Sequence, residues 1–233
     1  ANLALLCGNF GRPSSGVNPL RGQNNVQGAG DMGCLPNNLP GYQKVERTEV
    51  RQHWEEIWGV PLSGVPGITK ITALDQILRG EVRGAYIMGE NTVVSDANAA
   101  HTKKALEAVD FLVVQDLFLT QTARLADVVL PAAGWPETDG TFTNTERRVQ
   151  RVRQAVSPPG QAREDWRIVA DVAARMGHEM GHPDASAVWD EVAGATPLLA
   201  GITWERLQPE GLQWPCPDQD HPGTLYLHSG LWT

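Results

Sequence analysis

"GAYIMGENTVVSDANAAHTKKALEAVDFLVVQD", Gly84 to Asp116, is the stretch whose reading decides the fold. Two short apolar runs, "GAYIMG" and "FLVVQD", bracket a polar segment with the composition of a helix. "TQTARLAD" and "VVLPA" then repeat the pattern as a short helix and a third strand. Strands that read as continuous apolar runs and alternate with helices belong to a parallel sheet covered on both faces, because parallel neighbours need a crossover to connect them. The expectation is an α/β fold, a parallel sheet flanked by helices, with Ser95 or Asp96 opening the helix between the first two strands.

Upstream, "TEVRQHWEEIWG" predicts a helix with Thr48 as N-cap and Gly59 as stop, which places Val50, Trp54 and Ile57 on one face. "ITKITALDQILRG" predicts a second helix that again ends in glycine. Residues 11–45 carry Gly, Pro and Asn at a density that forbids long regular elements, so an ordered loop is expected there. The opening "ANLALLCGNFG" sets Leu3, Leu6 and Phe10 at helical spacing. Downstream, "GTFTNTERRVQRVRQAV" reads as extended structure from which Arg147, Arg148, Arg151 and Arg153 project, with a solvated strand face as the plain alternative. "REDWRIVADVAARMGH" predicts an amphipathic helix with Trp166, Val169, Ala173 and Met176 inward, and "SAVWDEVAG" a shorter one. Three regions result: 1–45, helix plus loop; 46–135, the α/β lobe; 136–233, an extended segment and helices.

At 233 residues and 41% hydrophobic, the chain can bury a core without a staple or metal. No run approaches the length of a membrane span, and nothing at the start reads as a signal segment. A formal charge of −8 with pI near 5.2 disfavours nucleic acid and anionic membrane surfaces, which reward clustered Lys and Arg. Cys7, Cys34 and Cys216 are widely separated with no C-x-x-C pair, the usage of a reducing, cytoplasmic compartment. His53, His101, His178, His182, His221 and His228 lack ligand spacing, so neither a triad nor a metal site is assigned. The absence of an initiator Met and the apolar, strand-like "GTLYLHSGLWT" at the far end suggest a piece of a longer polypeptide.

In an open parallel sheet, ligands sit beyond the carboxyl ends of the strands. Those loops here read "MGENTVVSD" and "QD". Gly89 admits close backbone approach, Glu90 and Asn91 offer acceptors and donors, and Ser95 could cap a helix, touch a ligand, or both. Asp116 is placed to accept from a ribose or a purine edge, or merely to close a turn. There is no G-x-G-x-x-G and no P-loop. A second candidate is "GVNPLRGQNNVQG", Gly16 to Gly28, where Arg21 stands among Asn18, Gln23, Asn24, Asn25 and Gln27. Amides read heteroatoms on flat polar rings and a guanidinium holds a carboxylate bidentately, so the loop suits a small anion beside a large polar cofactor. The bland reading is an arginine that braces a loop.

The segments "GNFGRPSSGVNPLRGQNNVQGAGDMG", "GAYIMGEN", "VVQDLFLTQTARLADVVLPAAGWPETDGTFTNTERRVQ" and "EDWRIVADVAARMG" together resemble the catalytic subunits of molybdenum- or tungsten-dependent formate dehydrogenases. These belong to the family that binds two molybdopterin guanine dinucleotides. The resemblance runs from Ala1 to about Met180 and weakly through "LQWPCPD". It implies two-electron oxidation of formate to carbon dioxide, or the reverse, with electron-transfer subunits as partners. It places Arg21 at the arginine that holds the substrate carboxylate and Gln23 at a glutamine beside the pterin. Glu90, Asn91, Ser95, Gln115 and Asp116 match positions that contact one guanine dinucleotide. Thr138 and Asp165 match further cofactor contacts, although relatives carry Lys where this chain has Thr138. The family's iron–sulfur segment, its metal-ligating Cys or selenocysteine and its C-terminal cap have no counterpart in these motifs. The expectation is therefore a central portion that is inactive alone, with any iron–sulfur cluster upstream and no metal ligand among the three cysteines. A nitrate reductase of the same family, typically "TGQ" where this chain reads "LRGQ", and a non-catalytic scaffold module are the competing readings.

Overall fold

The computed structural model describes residues 1–11 and 14–227. Arg12 and Pro13, inside one of the quoted motifs, and His228 with the rest of "HSGLWT" lie outside the described residues. In chain order come α1 (Asn2–Leu6), α2 (Val26–Asp31), β1 (Asn38–Leu39), β2 (Gln43–Lys44), α3 (Thr48–Trp58) and α4 (Lys70–Leu78). Then follow β3 (Gly84–Met88), α5 (Thr92–Ser95), α6 (Ala99–Ala108), β4 (Phe111–Asp116), β5 (Val128–Pro131), β6 (Gly140–Thr143) and β7 (Arg148–Val152). The last elements are α7 (Asp165–Arg175), α8 (Ala185–Ala195) and β8 (Leu212–Gln213).

The chain forms two compact units that interleave along the sequence. One comprises Ala1–Pro66, Gly140–Val152 and His182–Thr233, and the other Gly67–Asp139 and Arg153–Gly181. The second unit, here the sheet unit, holds the parallel sheet β3-β4-β5, with Ala85 opposite Leu112 and Val113 opposite Val128. Alternate residues of a strand face opposite ways. Leu112 and Val114 of the central strand therefore pack with Leu74 and Ile77 of α4 and Ala105 and Leu106 of α6, while Gln115 points to the other face and reaches Asp165 at the start of α7. That second face is less covered than the apolar runs imply, with Tyr86 43% and Met88 45% exposed.

Several local expectations need correction. The segment after β3 is two helices: neither Ser95 nor Asp96 caps the longer one, whose N-cap is Asn98, with Oδ1 accepting from His101 N at 3.1 Å. Thr48 lies inside α3, and Arg47 is the N-cap. Gly59 does stop α3, at φ 66 with its N–H on Glu55 O. α1 ends at Leu6 before reaching Phe10, and Leu3 and Leu6 are exposed. The helical turn in "TQTARLAD" is a 3-10 segment, Ala123–Leu125. In α7 the buried residue is Ile168, whereas Met176 is 82% exposed, because the helix ends at Arg175 before bringing it inward. The described part of "GTLYLHSGLWT", 223–227, forms no strand.

The first unit, here the hairpin unit, is built on the antiparallel sheet β6-β7-β8. Its core joins Val149, Trp189, Leu199, Ile202, Leu207, Trp214 and Cys216. Asn144 turns the β6–β7 hairpin, its Oδ1 accepting from Glu146 N and Arg148 N. The arginines that follow are committed within the unit: Arg151 lies 3.6 Å over the Trp204 ring, Arg148 bonds Glu146 and Gln213, and Arg147 bonds Trp214 O and Thr224 O.

Candidate functional site

In the hairpin unit, a cavity of about 680 Å³ is lined by Arg21, Gln27, Tyr42, Arg147 and Trp214 among others. A smaller one of about 220 Å³ is lined by Gln23, Asn24, Asn144 and Gln150 and shares Arg21 and Gln27 with the first. Two local devices place these side chains. Asn25 adopts a left-handed conformation at φ 61 just before α2, and its Oδ1 accepts from Thr143 N of β6 at 2.9 Å. Gly28 makes room for that amide, since a Cβ there would lie 2.1 Å from Asn25 Oδ1. The loop is thereby fastened to the hairpin, and "QNNVQ" is left to face the cavities.

Arg21 is exposed and donates through Nη2 to Gln27 Oε1 at 3.2 Å, with no carboxylate in ion-pair range among the described residues. Beneath it, Asp31 is fully buried and accepts from Gln27 Nε2 (2.9 Å), Tyr42 Oη (2.9 Å) and Trp214 Nε1 (2.8 Å). Burial raises the Asp31 pKa while those donors pull against it. Arg147 stands 5.4 Å over Trp214, and burial lowers its pKa. With two guanidinium groups, Arg21 and Arg147, against one carboxylate, Glu146, at its wall, the larger cavity favours an anion, and the amides of the smaller cavity suit a flat heterocycle.

In the sheet unit, the expected site residues gather at the carboxyl ends of β3 and β4, but several are occupied by one another. Asn91 bridges the two loops: Nδ2 donates to Gln121 Oε1 at 2.7 Å, and Oδ1 accepts from Thr122 N (3.1 Å) and Oγ1 (2.9 Å). Glu90 Oε1 accepts from Ser95 Oγ and from Lys70 Nζ, both at 2.9 Å. Burial opposes the charge on Lys70, yet its pairs with Asp96 and Glu90 leave the pKa raised. Gln115 is fully buried, and its amide is used at both ends, by Tyr86 Oη and by Asp165 Oδ1. Thr138 Oγ1 shares its proton between Glu164 Oε1 and Asp139 O.

What these residues leave open is a set of acceptors. Asp116 uses Oδ1 on Leu117 N and Phe118 N. Asp165 accepts from Gln115 through Oδ1, and its pKa is raised by desolvation and by the neighbouring charge of Asp116. The second oxygens of Glu90, Asp116 and Asp165 take no hydrogen bond among the described residues. Gly89, at φ 63 with open space where a Cβ would stand, leaves the adjoining backbone approachable. Acceptor-only groups of negative charge suit the N–H and O–H edge of a guanine nucleoside and repel phosphate, so the site fits the base and ribose of a dinucleotide. Among the described residues no group of three or more His, Cys, Asp or Glu could hold a metal ion.

The sequence did not single out Asp31, Tyr42 or Trp214, and it marked Arg147 only as one of the arginines after Asn144. The first three are ordinary residues locally, and only tertiary contact makes them a cluster.

A family model described as molybdopterin oxidoreductase matches residues 1–175. The chain is 52% identical over 229 residues to the F420-dependent formate dehydrogenase subunit alpha of Methanocaldococcus jannaschii, covering 97% of this chain and 34% of that protein. It is 53% identical over 231 residues to the F420-dependent formate dehydrogenase 2 subunit alpha of Methanococcus maripaludis, with the same 97% and 34% coverage. The chain thus spans about a third of the length of these curated relatives. Among solved structures, the acetylene hydratase of Pelobacter acetylenicus matches with a TM-score of 0.53 at 24% identity, over 71% of this chain and 24% of that one. At that identity the likeness bears on the fold, a mixed α/β arrangement with a parallel sheet.

Proposed function

Because the chain belongs to the molybdopterin oxidoreductase family, we propose that it is part of the catalytic subunit of a formate dehydrogenase. The complete protein would oxidise formate to carbon dioxide, or run the reverse, in a cytoplasmic complex with electron-transfer subunits. The observation that carries this reading is Arg21, an exposed guanidinium with no carboxylate partner among the described residues, at the wall of a cavity with room for ligand. When bound, molybdenum or tungsten held by two molybdopterin guanine dinucleotides supplies the acceptor for two electrons, with any iron–sulfur cluster carried elsewhere in the complete protein.

The roles of this chain's residues follow from their contacts. Arg21 binds formate through its two oxygens and fixes the direction of the C–H bond. Gln23 lines the amide-rich cavity and reads the pterin's heteroatoms. In the other unit, Glu90, Asp116 and Asp165 accept from the guanine edge and ribose hydroxyls, and Gly89 lets the nucleoside approach the backbone. Asn91 and Ser95 hold the loops that carry those acceptors, Gln115 orients Asp165, and Thr138 steadies Glu164 next to it.

The test is an assay of the complete, cofactor-loaded subunit for reduction of an artificial dye by formate and, separately, for reduction of nitrate by a reduced dye. Formate-dependent turnover with negligible nitrate turnover supports the reading. The converse assigns the chain to a nitrate reductase, and neither activity favours a scaffold module.

A further inference from the structure

Beneath Arg21 lies a buried polar cluster in which every hydrogen bond has a determined direction. The indole N–H of Trp214 can only donate, and it donates to Asp31 Oδ2 at 2.8 Å. Asp31 is fully buried, and Gln27, Tyr42 and Trp214 all donate to its two oxygens, the arrangement of an ionised carboxylate. Tyr42 gives its proton to Asp31 Oδ1 at 2.9 Å and accepts from Gln27 Nε2 at 2.8 Å. Burial, with the charge and hydrogen bond of Asp31 adding, pushes the Tyr42 pKa up to about 12, so the hydroxyl keeps that proton. Gln27, 7% exposed, thus spends both amide hydrogens, one on Asp31 and one on Tyr42. Its Oε1 has nowhere to point but at Arg21 Nη2, 3.2 Å away.

A glutamine amide has nearly the same shape either way round, and only its partners decide which end faces where. Here an acceptor-only carboxylate decides. We propose that Asp31 and Gln27 are positioning residues for Arg21, with Asp31 locking the Gln27 carbonyl toward the guanidinium so that the fork is held ready for a carboxylate. This rests on the reading of Arg21 as the formate-binding group. With the amide reversed, an NH₂ group would face the guanidinium, repel it and release the side chain into rotamers that do not present two parallel N–H groups. The fixed geometry lowers the ordering cost of binding, an effect felt in substrate affinity before it is felt in the chemical step.

Asp31→Asn separates this role from simple packing. It keeps the volume, yet its own amide can meet either end of Gln27, so the lock on orientation is lost. The experiment measures formate KM and kcat, with molybdenum or tungsten and pterin content, for the complete subunit, Asp31→Asn, Arg21→Lys and the double variant. The expected result is a rise in KM of about tenfold for Asp31→Asn, from loss of one charge-assisted positioning contact, with kcat and cofactor content much less affected. In the Arg21→Lys background the same change should alter KM less than about twofold, since residues that act through one another are not additive. If Asp31→Asn does not fold, Tyr42→Phe removes an acceptor for the Gln27 amide and is expected to give a smaller rise, about threefold, that likewise vanishes with Arg21→Lys. Equal factors in both backgrounds, or a fall in kcat and cofactor content with KM unchanged, overturn the proposal while the role of Arg21 stands. An unchanged KM in Arg21→Lys alone overturns the assignment of Arg21 and the proposal with it.

Discussion

Trp214 Nε1 donates to Asp31 Oδ2 at 2.8 Å across 183 positions of sequence, joining the end of β8 to the end of α2. Both residues are buried, so neither group has water to fall back on. Trp214→Phe keeps an aromatic ring and removes the donor. It is expected to cost about 1–3 kcal/mol, the penalty for leaving a buried acceptor short of a partner, plus the lost packing of the larger ring. Equilibrium denaturation of the chain measures it, and an unchanged midpoint would mean that the bond carries no net stability.

Gly28 sits in α2 with an ordinary helical backbone, where alanine would normally gain about 1 kcal/mol. Here a Cβ would meet Asn25 Oδ1 at 2.1 Å, and that oxygen is pinned by Thr143 N. The clash and the broken hydrogen bond outweigh the propensity, so Gly28→Ala is expected to destabilise by about 1–3 kcal/mol. A gain in stability would show that the Asn25 side chain moves aside freely.

Asp31 gives a pH signature. Its folded pKa is raised above 3.8, burial being the largest cause. The folded state therefore binds a proton more readily than the unfolded chain, and the stability this contributes is fully present below pH 3.8 and lost as pH rises through the folded value. Denaturation of the parent and Asp31→Asn over a pH series is expected to show the parent losing ground to the variant through that window and a constant difference above it. A parent advantage that grows with pH would contradict the assignment.

Asn91→Ala removes the bridge between the loops after β3 and β4. Thr122 has no exposed surface, and its N–H would lose its acceptor. The expected cost is about 2 kcal/mol, with lost hydrogen-exchange protection at the Thr122 amide. Protection equal to the parent's would place the strength of that junction elsewhere.

The parallel sheet was legible because apolar strands buried on at least one face leave a local pattern, and Leu112 and Val114 stand where that pattern sets them. The helix starts were not, since Thr48, Ser95, Asp96 and Asn98 are all competent caps, yet α3 starts one residue early, after Arg47, and of the other three only Asn98 caps α6. The candidate site divided the same way. Arg21 and Gln23 were visible by the company they keep, and Glu90 and Asp116 by their place after strands. The commitment of Gln115 to Tyr86 and Asp165 depends on residues 29 and 50 positions away, for which no local signal exists. The network under Arg21 is likewise a product of the fold.

The central claim is that Arg21 receives the carboxylate of formate. The most direct measurement is formate kcat/KM of the complete, cofactor-loaded subunit with Arg21→Ala, alongside its metal and pterin content. A loss of at least about a hundredfold, the scale of a misplaced substrate, with cofactor content near that of the parent is expected. Activity within about twofold of the parent at equal cofactor content would contradict the account.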